Sequence, residues 1–214
     1  MKKRLKSIIL CHIFLPFQAL AQMHTDDMNY WIEKYQSVSY PLKSIHISSS
    51  YGKRADPFTG KGRFHQGIDL EAKYEVVFAM FDAEIKRVGY DPMSGNFITL
   101  KAGNYTISYC HLSEIWVKED ELVYAGQELG RSGSTGRATG PHLHISCRLH
   151  GKIENPYHLL TFVRDTQLKA VDALGLNKDI KLSPEDFLRT YAPQAMHQQR
   201  KYGIPASVIL SQMA

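Results

Sequence analysis

Thr139-Gly140-Pro141-His142-Leu143-His144-Ile145-Ser146-Cys147-Arg148 opens on turn residues and continues as a strand. In a strand, residues two apart point to the same face, roughly 6.5–7 Å apart. His142 and His144 therefore look into one site, while Leu143, Ile145 and Cys147 turn to the core. Upstream lies a second cluster, His65-Gln66-Gly67-Ile68-Asp69, and between the two stands His111. These five side chains, His65, Asp69, His111, His142 and His144, are expected to meet around one metal ion.

Around that stretch, residues 45–157 carry short apolar runs broken by Gly, Pro, Asn and Asp. Val76–Met80, Ala83–Val88, Asn96–Leu100 and Tyr105–Tyr109 read as strands. Asp91-Pro92, Ser94-Gly95, Gly103-Asn104 and Gly126 read as the turns between them. Strands at hairpin spacing predict a mostly β fold, an antiparallel sheet domain, with a short α-helical tail.

The 214 residues suffice for one ordinary core, but the first 21 do not belong to it. Lys2, Lys3, Arg4 and Lys6 precede an apolar run from Ile8 to Phe17, and Ala19 and Ala21 offer a small-residue cleavage pattern. That order is a signal peptide, its apolar run too short to span a bilayer comfortably. The mature chain is expected to be exported, periplasmic or extracellular, with no transmembrane segment. Its removal takes four basic and no acidic residues, so the formal charge falls from +5 to +1. The basic balance is thus largely the leader's, and it points to no nucleic-acid partner.

Residues 22–44 form a polar lead-in with one apolar knot at Met28–Ile32 and a short helix ending before Pro41. After Asn155-Pro156, Leu159–Leu174 reads as helical, within a helical linker spanning 158–182. A helical tail, 183–214, starts at Ser183-Pro184-Glu185-Asp186, with Ser as N-cap and Pro at the first position. Oligomeric state is not readable. Cys110 and Cys147 alternate with nearby histidines, so both are expected on the sheet face away from the metal, as free thiols in preference to a bridge.

His65-x-Gly67-x-Asp69 places its two potential ligands on one side, with Gly67 leaving the space between them empty. Two histidines and one carboxylate meet the three-ligand count of catalytic zinc: His65, Asp69 and one of His142 or His144. The same set describes a non-haem iron triad. The surplus histidines, His111 and the other of the pair, favour proton transfer in hydrolysis.

His65–Asp69, Ser108–Ser113 and Gly133–His144, with Tyr51–Arg54, Gly126-Gln127 and Asn155-Pro156, resemble the lysostaphin/LytM-type zinc metallopeptidases over residues 45–157. The resemblance implies one Zn2+ held by His65, Asp69 and His144, with His111 and His142 as the catalytic pair. It implies peptidoglycan as substrate, cut at stem-peptide cross-links or bridges. Members of this fold that lack metal or catalytic residues activate cell-wall amidases, and that is the alternative reading. Here all five positions are filled. Tyr202–Gln212 is similar to the first helix of peptidoglycan-cleaving glucosaminidases, so the tail is expected to be the start of such a domain, cut short before its general acid.

Overall fold

The structure, a computed structural model, describes residues 27–173. These lie in the first of the two units into which the chain divides, Met1–Leu174 and Gly175–Ala214. The expected signal peptide, the first residues of the lead-in, the end of the helical linker and the glucosaminidase-like tail lie outside the described residues.

The chain begins with a helix, α1 (27–36), and runs through thirteen strands to a second helix, α2 (Tyr157–Ala173). The strands are β1 (Ile47–Ser49), β2 (Gly52–Ala55), β3 (Gly62–His65), β4 (Ile68–Glu71), β5 (Val76–Phe78), β6 (Ala83–Asp91) and β7 (Gly95–Ala102). They continue as β8 (Tyr105–Leu112), β9 (Glu114–Ile115), β10 (Leu122–Val123), β11 (Glu128–Arg131), β12 (His142–Leu149) and β13 (Lys152–Glu154). The main sheet runs β1-β4-β12-β8-β7-β6-β10, with β13 added on β12. Its pairings are all antiparallel. A second sheet, β5-β11-β9, and a two-stranded ribbon, β2-β3, complete the fold. The mostly antiparallel β architecture expected from the sequence is the one observed.

The core sits on one face of the main sheet. Ile68, Leu70, Ile107, Tyr109, Leu143 and Ile145 supply that face, and Val77, Ala79 and Leu129 close it from the side of the second sheet. The alternation expected in β12 holds: Leu143, Ile145 and Cys147 are buried at 0–2% exposure. Tyr109 carries a polar group into this core, and its hydroxyl oxygen accepts the Met80 amide at 3.1 Å. That acceptor spares the Met80 N–H the cost of burial without a partner.

Both flanks of the domain extend beyond the boundaries expected from sequence. Val38 and Leu42 of the lead-in join the core, and Ile32 is also buried. Leu159, Leu160 and Val163 of α2 pack into the same core, so the start of the expected linker is part of the domain. The two flanks meet where Gln167 Nε2 donates to the Val38 carbonyl at 3.4 Å. Neither helix is long and apolar enough to cross a membrane.

Tyr109→Phe should therefore cost about 1–3 kcal/mol in urea unfolding, the penalty for stranding a buried amide. A variant as stable as the wild type would show that the hydroxyl is dispensable to this core.

Candidate metal centre and its cleft

Five side chains from four strands converge on the outer face of the main sheet. His144 lies directly opposite Asp69 in the β12–β4 register. His65 arrives from the end of the β2-β3 ribbon, with Gln66 and Gly67 linking it to β4. His65 and Asp69 thus sit on successive strands, joined by an extended link through Gly67. The space at Gly67 is not empty: the imidazole of His144 fills it. A Cβ on Gly67 would lie 2.6 Å from His144 Nε2 and would overlap the Ile145 carbonyl. Only glycine permits this approach.

The donor atoms form a tight triangle. His144 Nδ1 lies 2.7 Å from Asp69 Oδ1, His65 Nε2 lies 3.2 Å from the same oxygen, and the two nitrogens are 3.1 Å apart. His65 Nδ1 donates to the Ser50 carbonyl at 2.9 Å, so its Nε2 faces inward as a lone pair. A single proton on His144 Nδ1 cannot bridge all three contacts, which leaves a buried lone pair facing a carboxylate. A cation resolves that conflict. Tetrahedral zinc holds its ligands roughly 3.3 Å apart, close to the separations here. The donor set, two imidazoles and one carboxylate, fits zinc.

Burial alone would raise the Asp69 pKa. The hydrogen bond donated by His144 is the largest influence against it, and the carboxyl is held well below the usual carboxylate range. Arg54 Nη2, 3.3 Å from Asp69 Oδ2, fixes the second oxygen, while Nη1 of the same guanidinium donates to Ser49 Oγ at 2.8 Å. Arg54 lies in the Tyr51–Arg54 stretch, but nothing in its local pattern announced this partner.

His111 and His142 stand beside the triangle, their ring centroids 4.7 Å apart and that of His111 5.8 Å from that of His144. Each donates Nδ1–H to a carbonyl at 2.8 Å, His111 to Thr135 and His142 to Gly140. A carbonyl only accepts, so Nδ1 carries the proton in both rings, and both Nε2 atoms are left as lone pairs. His142 Nε2 lies 3.7 Å from Asp69 Oδ1.

His111 reaches the site through a break in alternation. Asn96 faces Leu112 and Ile98 faces Tyr109, so β8 holds one more residue than β7 at this point. His111 has φ +64° and its amide donates to Ser94 at 2.7 Å. The bulge keeps Tyr109 and Leu112 in the core and sends both Cys110 and His111 to the site face. The expectation that Cys110 lies away from the metal is therefore wrong. Cys110 pairs with His144 in register, on the site face, whereas Cys147 pairs with Ile107 on the core face. The two cysteines are free and lie on opposite faces of the sheet. Burial pushes the Cys110 thiol up to about 12, which makes it inert.

Burial also pushes the His111 imidazole down to about 4, against the hydrogen bond to Thr135. Folded, His111 binds fewer protons than in the unfolded chain between its ordinary value, 6.5, and about 4. Its contribution to stability is present above that window and is lost as pH falls through it. Metal-free protein taken from pH 7 to 4.5 should lose about 2–3 kcal/mol more unfolding free energy than His111→Gln. Equal losses in the two proteins would exclude His111 as the responsible group.

Residues 63–156 match Peptidase family M23. Over 119 residues the chain is 35% identical to the peptidoglycan DD-endopeptidase ShyC of Vibrio cholerae, an alignment covering 54% of this chain and 28% of that protein. The chain spans about a third or less of the length of the curated relatives it matches. A catalytic-domain mutant of the prophage-encoded M23 protein EnpA from Enterococcus faecalis aligns with TM-score 0.50 at 31% identity. That alignment covers 56% of this chain and 95% of that one. The catalytic domain of lysostaphin from Staphylococcus simulans aligns with TM-score 0.50 at 30% identity, over 55% of this chain and 92% of its own. Nearly the whole of two such catalytic domains is thus found here, on strands that bring two histidines and an aspartate to one point, and the chain belongs to peptidase family M23, the lysostaphin/LytM-type metallopeptidases.

Proposed function

We propose that this protein is an exported zinc endopeptidase that hydrolyses peptide bonds in bacterial peptidoglycan. The convergence of His65 Nε2, Asp69 Oδ1 and His144 Nδ1 beside two further imidazoles is the observation that supports this most directly. Family membership and the similarity to a peptidoglycan DD-endopeptidase support the substrate class. The leader-like sequence of residues 1–21 supports export to the compartment where that substrate lies.

His65, Asp69 and His144 are the proposed ligands. Held by these atoms with a fourth position open, zinc would supply Lewis acidity for a hydrolytic water and a scissile carbonyl. The protein's own share is proton handling by His111 and His142. With Nδ1–H held by a carbonyl, each neutral ring presents Nε2 as a lone pair that can accept a proton from water. The imidazolium so formed can stabilise an adjacent oxyanion and return the proton to the departing amine. The Thr135 and Gly140 carbonyls hold both rings in the tautomer this requires.

An amidase activator of the same fold would not need this pair. The two readings separate in one experiment on the zinc-reconstituted protein with purified sacculi. Released peptides should carry new amine termini by mass spectrometry, and His142→Ala should lower the rate at least a hundredfold while retaining one zinc per chain. His144→Ala should lose the zinc itself. A wild type that binds zinc, releases nothing and stimulates an added amidase would overturn the enzyme reading.

A further inference from the structure

Beyond the reacting centre, the same cleft, about 430 Å³, is lined by Arg54, Arg63, Arg137 and Arg148 against Asp69 as its acid. Asp69 is already engaged by Arg54 and by the histidine triangle. That leaves an excess of positive charge on the side where Phe58, Arg63 and Arg137 meet.

At their centre is Asp56, 5% exposed. Its Oδ1 accepts the amides of Phe58 and Thr59 at 2.9 and 3.0 Å. Arg137 Nη2 reaches both carboxylate oxygens, at 2.9 and 3.0 Å, and Arg63 Nη1 reaches Oδ2 at 3.0 Å. One negative charge thus faces two guanidinium groups. A latch between the 56–61 loop and the 133–141 loop would need only one of them.

The guanidinium groups are held in place yet keep donors to spare. Phe58 covers one face of Arg137 with 4.2 Å between guanidinium carbon and ring centroid. Gly136, at φ +67°, packs directly on the Gly95 backbone, and the Arg137 amide donates to the Met93 carbonyl at 3.2 Å. Nε and Nη1 of Arg137 make no hydrogen bond among the described residues, and Arg63 Nη2 has only the weak acceptor Met93 Sδ at 3.6 Å. The two side chains are 32% and 45% exposed, and both open into the cleft that holds His111 and His142.

We infer that Arg137 and Arg63, braced by Asp56 and Phe58, form a subsite for a carboxylate on the substrate peptide next to the scissile bond. This rests on the peptidase reading and deepens it: the protein selects anionic peptides over their amidated forms. A planar fork with free donors, desolvated on one side by an aromatic ring, suits a carboxylate and gains nothing from a neutral carboxamide.

The test uses two synthetic cross-linked peptides of stem-peptide sequence that differ only in that carboxyl group, carboxylate in one and primary carboxamide in the other. Calorimetry on the zinc-loaded His142→Ala protein measures binding without turnover. The carboxylate peptide should bind roughly ten- to a hundredfold more tightly. Adding Arg137→Gln or Arg63→Gln should remove most of that preference and leave the carboxamide affinity unchanged. Arg137→Lys should restore part of it. Equal affinities in the parent protein would overturn the subsite. So would a loss shared equally by both peptides in Arg137→Gln, which marks a purely structural latch. Turnover by the wild type is read separately. Selective binding without cleavage would sink the peptidase reading and leave the subsite standing, whereas cleavage without selectivity would do the reverse.

Discussion

The register of β12 against β4 is the constraint on which the rest of the molecule depends. With His144 opposite Asp69 and Leu143 opposite Leu70, one strand supplies both the metal face and the core face. A slip of one residue would send Leu143 and Ile145 to solvent and bury two imidazoles in hydrocarbon. The core therefore enforces the site geometry: the apolar contacts of Leu143 and Ile145, both nearly fully buried, hold His144 within 2.7 Å of a carboxylate. Stability and function share this register without competing for the same side chains.

That part was legible, because a period of two is written directly into residues 142–147. Strands β5 to β8 and α2 were also visible from their apolar runs and turn residues. What could not be read was any feature set by packing between distant segments. The bulge at Cys110–His111 has no glycine or proline to mark it, so strict alternation placed Cys110 on the wrong face. Gly67 was recognised as a position that needs to be small. Its reason, a ring arriving from a strand about 75 residues away, lies outside any local window. Arg54 and the Asp56 cluster escaped for the same cause. Arg–carboxylate partners 15 and 81 residues apart leave no spacing signature.

The lead-in shows the opposite limit. Its sparse apolar residues gave no hint of a core contribution, yet Val38 and Leu42 are almost fully buried. They belong to the same core cluster as Leu159, Leu160 and Val163. Single large residues on irregular segments carry no periodicity, so burial there is decided by what the sheet leaves uncovered.

The final distinction lies within His142-x-His144 itself. Both side chains occupy one strand face, as the sequence indicated, but they present different nitrogens. His144 points Nδ1 at Asp69, because the carboxylate sits directly across the strand pair and the gap at Gly67 accepts the rest of its ring. His142 stands at the first residue of the strand, where the chain has just turned through Gly140. That carbonyl, 2.8 Å away, takes its Nδ1–H and turns Nε2 to the cleft. Identical residues two apart are thus given unlike surroundings by their second partners. The ring locked among a carboxylate, a second imidazole and a glycine suits a fixed ligand. The ring tied by one backbone bond keeps its free nitrogen toward the position a substrate would fill, as proton transfer requires.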